Sequence, residues 1–309
     1  MLSDTIRILN FDGAVLKQKN LLEQFNPRII DLKGIGSDSR FWLSKRTSEE
    51  IKKTLTPELN NAITLLGSGD FHHISSLLVD QFHQPITVVA FDFHPDWDIF
   101  PPKLGCGSWV SSVLKKPNVS KVILLGVSSN DISNFWIQTG NLKSLKDNRV
   151  EIYPYSHEPT LTVFKKVPDN ASIRIERGVF YNKIHWQELK NCNLNDLFFE
   201  LAKRIRDKDV YVSIDKDCLN QDYALTNWES GRLNLDELLS LLKLIKENLN
   251  IIGLDIVGDY SLPDAKSRFK AVISRLDHPK DYSAKAKNED AVTSINEQTN
   301  IKIIKSLIR

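Results

Sequence analysis

The chain reads as an α/β protein, with a mainly parallel sheet between two layers of helices. Three observations predict this. Short apolar runs rich in β-branched residues recur along the chain, as expected of strands covered on both faces. Helical patterns with one apolar face lie between them, and alternating strands and helices imply a parallel sheet. Acidic residues and histidines follow three of the runs directly, where such a sheet places its ligand crevice.

The first strand is Thr5–Asn10. Ala62–Leu66 leads into Gly67-Ser68-Gly69-Asp70-Phe71-His72-His73, and a helical pattern runs from His73 to Gln81. Ile86–Phe91 leads into Asp92-Phe93-His94-Pro95-Asp96. Strands Val122–Gly126 and Val150–Tyr153 follow. Residues 155–185 read as a strand-rich insertion, with Leu161–Phe164 and Ser172–Ile175 pairing as a hairpin around Pro168-Asp169-Asn170. Leu194–Arg206 is strongly amphipathic, and Val210–Ile214 runs into Ser213-Ile214-Asp215-Lys216-Asp217. Asn234-Leu235-Asp236-Glu237 opens a helix that continues to Asn248. Ile251–Val257 is the last strand, residues 278–294 read as a polar, mobile loop, and Thr299–Ile308 forms a final helix. At 309 residues, one large domain accommodates all of this.

Bulk properties narrow the function. Apolar content of 41% and charged content of 26% are ordinary for a globular chain. A net charge of +2 offers no electrostatic drive toward nucleic acid or an acidic membrane. No apolar run approaches the roughly 20 residues that span a bilayer. The opening MLSDTIRILNFDG lacks the basic-then-apolar pattern of a secretory signal. The expectation is a cytoplasmic protein that contacts neither nucleic acid nor membrane. Cys106, Cys192 and Cys218 are widely spaced with no CxxC pair, which excludes a disulfide framework and a zinc finger.

Strand side chains alternate faces, so Asp92, His94 and Asp96 converge on one side, as do Asp215 and Asp217. With His72 or His73 they make four carboxylates and two imidazoles. Each run alone has a plain reading as a polar strand end or a helix cap. Together they are a cluster of mutually repelling carboxylates, which a bound cation stabilises. Mixed oxygen and nitrogen donors suit manganese, iron(II), cobalt or zinc, and no cysteine lies at ligand spacing for a structural zinc. Cys218 points to the opposite face and reads as core. Two ions roughly 3.5–4 Å apart activate a shared water, so the set predicts hydrolysis.

The three runs resemble those of the arginase or ureohydrolase family, which includes arginase, agmatinase and formiminoglutamase. Gly69-Asp70-Phe71-His72 mirrors that family's Gly-Gly-Asp-His. Asp92-Phe93-His94-Pro95-Asp96 mirrors Asp-Ala-His-x-Asp, and Ser213 to Asp217 mirrors Ser-x-Asp-x-Asp. Ile123-Leu124-Leu125-Gly126-Val127 and Leu254-Asp255-Ile256-Val257 match its intervening and last strands, so the order agrees from about residue 60 onward. The resemblance implies a three-layer arginase-like fold, two manganese ions and hydrolysis of a C–N bond in a small amidine or guanidine. It implies that Asp92 and Asp215 bridge the ions. His72 or His73 with Asp96 would complete one sphere, and His94 with Asp217 the other. Phe71 interrupts the usual Asp-His adjacency, and spacing from Gly69 favours His72. Asp217 or Asp96 would orient or relay the proton. Many relatives are trimers or hexamers, which leaves a homo-oligomer open here.

Four departures bear on substrate. Gly258 stands where the family's last strand carries a guanidinium-binding Glu. Asp259 follows it, facing the other way unless the strand is bulged. Gly105-Cys106-Gly107-Ser108-Trp109-Val110 lacks the family's proton-shuttling histidine, which makes Ser108 and Trp109 substrate-contact candidates, with packing an equal reading of Trp109. Asn220-Gln221-Asp222 and Thr226-Asn227-Trp228-Glu229-Ser230-Gly231 replace the Asp-Pro and Thr-Gly-Thr-Pro signatures, leaving Glu229 as an acidic candidate near the cleft. Ser128-Ser129-Asn130-Asp131 replaces an Arg-Asp sequence. The expectation is therefore a binuclear manganese hydrolase for a substrate other than arginine. Two alternatives stand beside it. One is a zinc deacetylase on the same fold, suggested by His72-His73 ahead of Asp92-x-His94. The other is a metal-binding member without catalysis.

Overall fold

A computed structural model describes residues 2–55, 61–100, 102, 104–162, 168–262, 270 and 288–308. In chain order its strands are β1 (Ile6–Asn10), β2 (Arg28–Asp31), β3 (Ile63–Gly67), β4 (Ile86–Phe91), β5 (Val119–Leu125), β6 (Val150–Tyr153), β7 (Thr160–Thr162), β8 (Ile173–Arg177), β9 (Asn182–Trp186), β10 (Asp209–Asp215) and β11 (Asn250–Val257). The helices are α1 (Lys19–Phe25), α2 (Lys33–Ser39), α3 (Lys45–Thr54), α4 (Ser75–Val79), α5 (Trp109–Val113), α6 (Leu142–Lys146), α7 (Leu194–Arg204), α8 (Leu235–Asn248) and α9 (Glu289–Leu307). Among the described residues, no helix is long and apolar enough to cross a membrane.

Eight strands form one sheet in the order β2-β1-β3-β11-β10-β4-β5-β6. Every pairing in it is parallel. The period-two alternation appears directly in β4. Val88 and Ala90 join the core on one face, with Trp97, Trp109 and Leu124. Val89 and Phe91 join the other, with Val212, Ile214 and the helix residues Leu238 and Leu242. The helix start read at Asn234 is a capping box, in which Glu237 Oε2 accepts from the Asn234 amide at 2.8 Å. Leu235, Leu238, Leu241, Leu242 and Ile245 bury its apolar face, each worth about 1.5–3 kcal/mol of transfer free energy.

This topology creates the crevice. β3 and β4 are consecutive strands in the chain, yet β11 and β10 lie between them in the sheet. The connections therefore diverge at the carboxyl ends of these four strands, and a cleft opens there.

Three expectations change. The segment 155–185 does hold extra strands, but β7, β9 and β8 form a separate antiparallel sheet in that order. Leu161 and Thr162 do not pair with Ser172–Ile175, because β9 stands between β7 and β8; residues 163–167 lie outside the described residues. The turn instead spans Gly178 to Tyr181, closed by Gly178 N donating to Tyr181 O at 2.9 Å. Apolar partners explain the choice, since Ile173 faces Trp186 and Ile175 faces Ile184. At the C-terminal end, the helix begins at Glu289, ten residues before Thr299, so residues 289–294 are helical rather than loop. Residues 278–287 lie outside the described residues. Finally, the edge strand β2 and helices α1 to α3, α5 and α6 have no counterpart in the sequence reading. β2 is only Arg28-Ile29-Ile30-Asp31, and its two isoleucines between charged residues are too short an apolar run to mark a strand.

Candidate metal centre

The cleft floor is assembled from three strand ends. After β3, residues Gly69–Ile74 turn as a 3-10 helix whose N-cap Ser68 accepts from Asp70 N. Within this turn Phe71 points into the core and stacks on Phe11 at 4.9 Å. Asp70 pairs with the buried guanidinium of Arg40 and is thereby occupied. His72 is the side chain delivered to the cleft. Its Nδ1 lies 3.2 Å from Asp92 Oδ2, 3.3 Å from Asp96 Oδ2 and 3.5 Å from Asp215 Oδ2. His94 turns its own Nδ1 to Asp217 Oδ2 at 3.2 Å and to Asp92 Oδ1 at 4.0 Å.

Two groups of potential ligand atoms result: His72, Asp92 and Asp96, and Asp92, His94 and Asp217. Asp92 belongs to both. Asp215 sits against the first group through His72. Of the alternative histidines, His72 meets the carboxylates and His73 does not. His73 is fully buried, and neither ring nitrogen has a hydrogen-bond partner among the described residues. Burial, reinforced by the nearby cations Lys270 and His72, pushes its pKa down to about 3.

Backbone amides aim the carboxylates. Asp92 Oδ1 accepts from His94 N at 2.8 Å, Asp215 Oδ1 from Asp217 N at 3.0 Å, and Asp217 Oδ1 from Phe93 N at 3.0 Å. In each case the second oxygen is turned toward an imidazole. Asp92 Oδ2 is buried with no hydrogen-bond donor in line among the described residues. Asp96 is held differently. Its backbone takes φ +46°, a costly conformation for a residue with a side chain, and Trp109 Nε1 donates to its Oδ2 at 2.8 Å.

The imidazole of His72 is oriented by a chain of hydrogen bonds. Ser213 Oγ donates its single proton to Asp255 Oδ1 at 2.8 Å, so the contact of 2.9 Å with His72 Nε2 is accepted from the ring. Tyr211 OH donates to the other oxygen of Asp255 at 2.6 Å. With its proton on Nε2, neutral His72 presents the Nδ1 lone pair to three carboxylates. That arrangement repels unless a cation or a second proton sits among them. Without a cation, burial disfavours a charged His72, but Asp92, Asp96 and Asp215 outweigh it and hold the pKa well above the usual imidazole value. Burial, with Asp96 and Asp217 adding repulsion, lifts Asp92 well above the carboxylate range. Burial and Asp217 lift Asp215 to about 8. The donor set thus fits divalent metal ions, which satisfy the Nδ1 lone pairs and the inward oxygens together.

Above the floor lies a cavity of about 400 Å³. Trp228 and Glu229 form one wall, with Trp228 edge-on to His94 at 5.6 Å and Glu229 Oε2 3.5 Å from His94 Nε2. Asp98 and Asp131 also line the cavity, fixed by Thr139 Oγ1 at 2.9 Å and Ser129 Oγ at 2.8 Å respectively. Among the described residues, no lysine or arginine lines it.

Three sequence-predicted contacts fall outside the lining. Ser108 is buried and closes its own turn, accepting from Gly105 N at 3.2 Å and donating to the Pro102 carbonyl. Trp109 lies behind the floor, its ring 4.8 Å from that of His72. Asp259 is buried against Lys216 Nζ at 2.7 Å and Gln18 Nε2 at 2.7 Å. Asp98, Trp228, Lys216 and the Ser213–Asp255–Tyr211 chain were not singled out from sequence. For Asp98 a signal existed, since it continues the alternation of Asp92, His94 and Asp96 by one step.

A parallel α/β sheet bearing clustered carboxylates and imidazoles at its carboxyl edge places the protein among α/β folds with a candidate metal centre. Comparison with known proteins narrows this. The Arginase family model matches residues 166–272. Solved structures share the fold over nearly the whole chain. Proclavaminate amidino hydrolase from Streptomyces clavuligerus is 12% identical with a TM-score of 0.56, covering 99% of this chain and 92% of that one. Agmatine ureohydrolase of Thermoplasma volcanium is 11% identical with a TM-score of 0.56, covering 98% and 88%. Arginase from Bacillus subtilis is 12% identical with a TM-score of 0.56, covering 98% of each. A protein of Thermotoga maritima described as uncharacterised is 26% identical over 261 residues, 84% of this chain and 81% of its own length. The chain is thus similar to the arginase family, in fold over nearly its whole length and in sequence over residues 166–272.

Proposed function

We propose that the chain is a metal-dependent hydrolase that holds two divalent ions, manganese foremost, and cleaves a C–N bond in a small cationic amidine or guanidine other than arginine. The observation that carries this is Asp92, shared by two ligand groups while its Oδ2 lies buried without a donor. His72, Asp92, Asp96 and Asp215 would hold one ion, and Asp92, His94, Asp217 and Asp215 the other. When bound, such ions lower the pKa of a water and stabilise negative charge developing at the attacked carbon's substituents.

The chain's own groups do the rest. Asp98, Asp131 and Glu229 give the cavity a negative lining that attracts a cation and repels a carboxylate, which disfavours an amino acid substrate. Trp228 narrows the entrance above His94. Glu229, beside His94 Nε2, is placed to hold the leaving nitrogen or hand it a proton as the C–N bond breaks. Asp217 and Asp96 orient the attacking water through their inward oxygens. The balanced charge suits a cytoplasmic small-molecule enzyme, as a monomer or homo-oligomer.

One observation favours a second reading, a metal-binding member without catalysis: Asp259 is turned away from the cavity. The zinc deacetylase reading loses its motivation, because His73 is turned away from the site. Metal analysis after manganese loading, with urea and ammonia release measured on a panel of guanidines and amidines, separates the readings. Two ions per chain with turnover is the expected result. Two ions without turnover on any cationic member supports the second reading, and fewer than one ion under saturating manganese contradicts both.

A further inference from the structure

Asp259 and Lys216 form a buried pair directly beneath the ligand loop. Lys216 is fully buried between Asp215 and Asp217 in the chain and, unlike them, does not line the cavity. Its Nζ lies 2.7 Å from Asp259 Oδ1. Gln18 Nε2 donates to the same oxygen at 2.7 Å, and Asn300 Nδ2 lies 3.3 Å from both carboxylate oxygens. Asn300 also donates to Gln18 Oε1 at 2.9 Å. The segment before α1 and the C-terminal helix α9 therefore meet at this one carboxylate.

The backbone around the pair is equally committed. Asp259 N donates to the carbonyl of Gly67 at 2.9 Å, at the end of β3 and five residues before His72. Gly258 has φ +89°, and a Cβ there would lie 2.5 Å from Asp215 Oδ1 and 2.8 Å from Lys216 N. Only glycine lets the end of β11 press so closely on the ligand loop. Asp259 thus touches β3 through its amide and the Asp215–Asp217 loop through its side chain. It links two of the three segments that carry ligands.

We propose that Asp259 and Lys216 are positioning residues for the metal centre, a strut that fixes His72 and the Asp215–Asp217 loop relative to each other. A lysine buried this deeply is stable only with its counter-charge, so Asp259 is committed to it and is not a substrate ligand. The proposal rests on the metal-centre reading above. It goes beyond that reading by placing control of metal affinity in residues that touch neither metal nor substrate.

The test compares manganese binding by titration calorimetry, and thermal melting, in the full-length protein and three variants. Asp259→Asn keeps the shape and removes the charge. The double variant Lys216→Met with Asp259→Asn removes both charges, keeps the net charge constant and avoids a lone buried ion. Asn296→Ala is the control. It sits one turn before Asn300 on α9 and bonds both polar groups of the Leu225 backbone, at 3.0 and 2.8 Å, away from the ligand loop. The expected result is a loss of about tenfold or more in manganese affinity for Asp259→Asn and for the double variant, the size typical of residues that orient ligands. Asn296→Ala should melt earlier yet bind manganese within about twofold of the parent. Parent-like affinity in both Asp259 variants overturns the strut, as does an equal loss in Asn296→Ala, which points to general destabilisation. Failure of the parent to bind manganese would instead remove the metal-centre reading.

Discussion

The floor and the wall of the cleft are built by different rules. The floor draws His72, Asp92, Asp96, Asp215 and Asp217 from the ends of β3, β4 and β10, and backbone amides aim three of its carboxylates. The wall draws Asp98, Asp131, Trp228 and Glu229 from connecting loops, where side chains such as Thr139 and Ser129 do the fixing. Strand ends in a central sheet are rigid and hold donor atoms to fractions of an ångström. Loops tolerate change and set what fits. A chain that keeps its floor and rebuilds its wall therefore keeps the class of chemistry while changing substrate.

Perturbing the floor should have the largest effect. Asp92→Ala removes the atoms shared by both ligand groups, so manganese content measured by mass spectrometry should fall from two ions to fewer than one. Retention of two ions would show that Asp92 is not shared.

Perturbing the wall should leave the metal in place. Asp98→Asn and Asp131→Asn each remove one charge facing the cavity. Each should raise KM for a cationic substrate about tenfold, the order of one charge-assisted contact at 1.5–3 kcal/mol, with manganese content unchanged. A fall in metal content instead would assign these aspartates to the floor.

The metal-free protein provides a third contrast. The raised Asp215 carboxyl, at about 8, lies above its unfolded value of about 4. Its contribution to stability is therefore complete below about pH 4 and is lost as pH rises through 8. The raised His72 acts in the same direction. Manganese needs the deprotonated groups, so the gap in Tm between manganese-loaded and chelated protein should widen from pH 5 to pH 8. A gap that narrows with pH would contradict the floor as drawn.

The smallest effect is expected behind the floor. Trp109→Phe keeps the ring against His72 and loses the bond to Asp96 Oδ2. Calorimetry should show about a tenfold weaker ion, with stability lowered by about 1 kcal/mol.

The same contrast explains what could be read from sequence. The floor was legible because three acidic and histidine-bearing runs follow β-branched strands; the strands end at Phe91 and Asp215, so turns rather than period-two alternation bring Asp96 and Asp217 to the cleft. Choosing His72 over His73 needed the 3-10 turn after Gly69, and spacing favoured His72, the one that meets the carboxylates. The wall was only partly legible, since Glu229 stood out as an acid while Asp131 and Trp228 depend on where distant loops fold back. Asp259 was a candidate only if the strand end turned it inward; it faces away from the cavity, onto Lys216 and Gln18. The start of α9 was missed because Asn296, Glu297, Thr299 and Asn300 are buried on it, a polar face where periodicity looks for an apolar one. The pairing of β7, β8 and β9 depended on which apolar partner lay nearest in space, a non-local fact.

The most direct test is an anomalous difference map from crystals grown with manganese. Two peaks should appear roughly 3.5–4 Å apart on either side of Asp92, one beside His72 and Asp96 and the other beside His94 and Asp217. A single peak, or peaks that Asp92 does not touch, would contradict the shared two-ion centre.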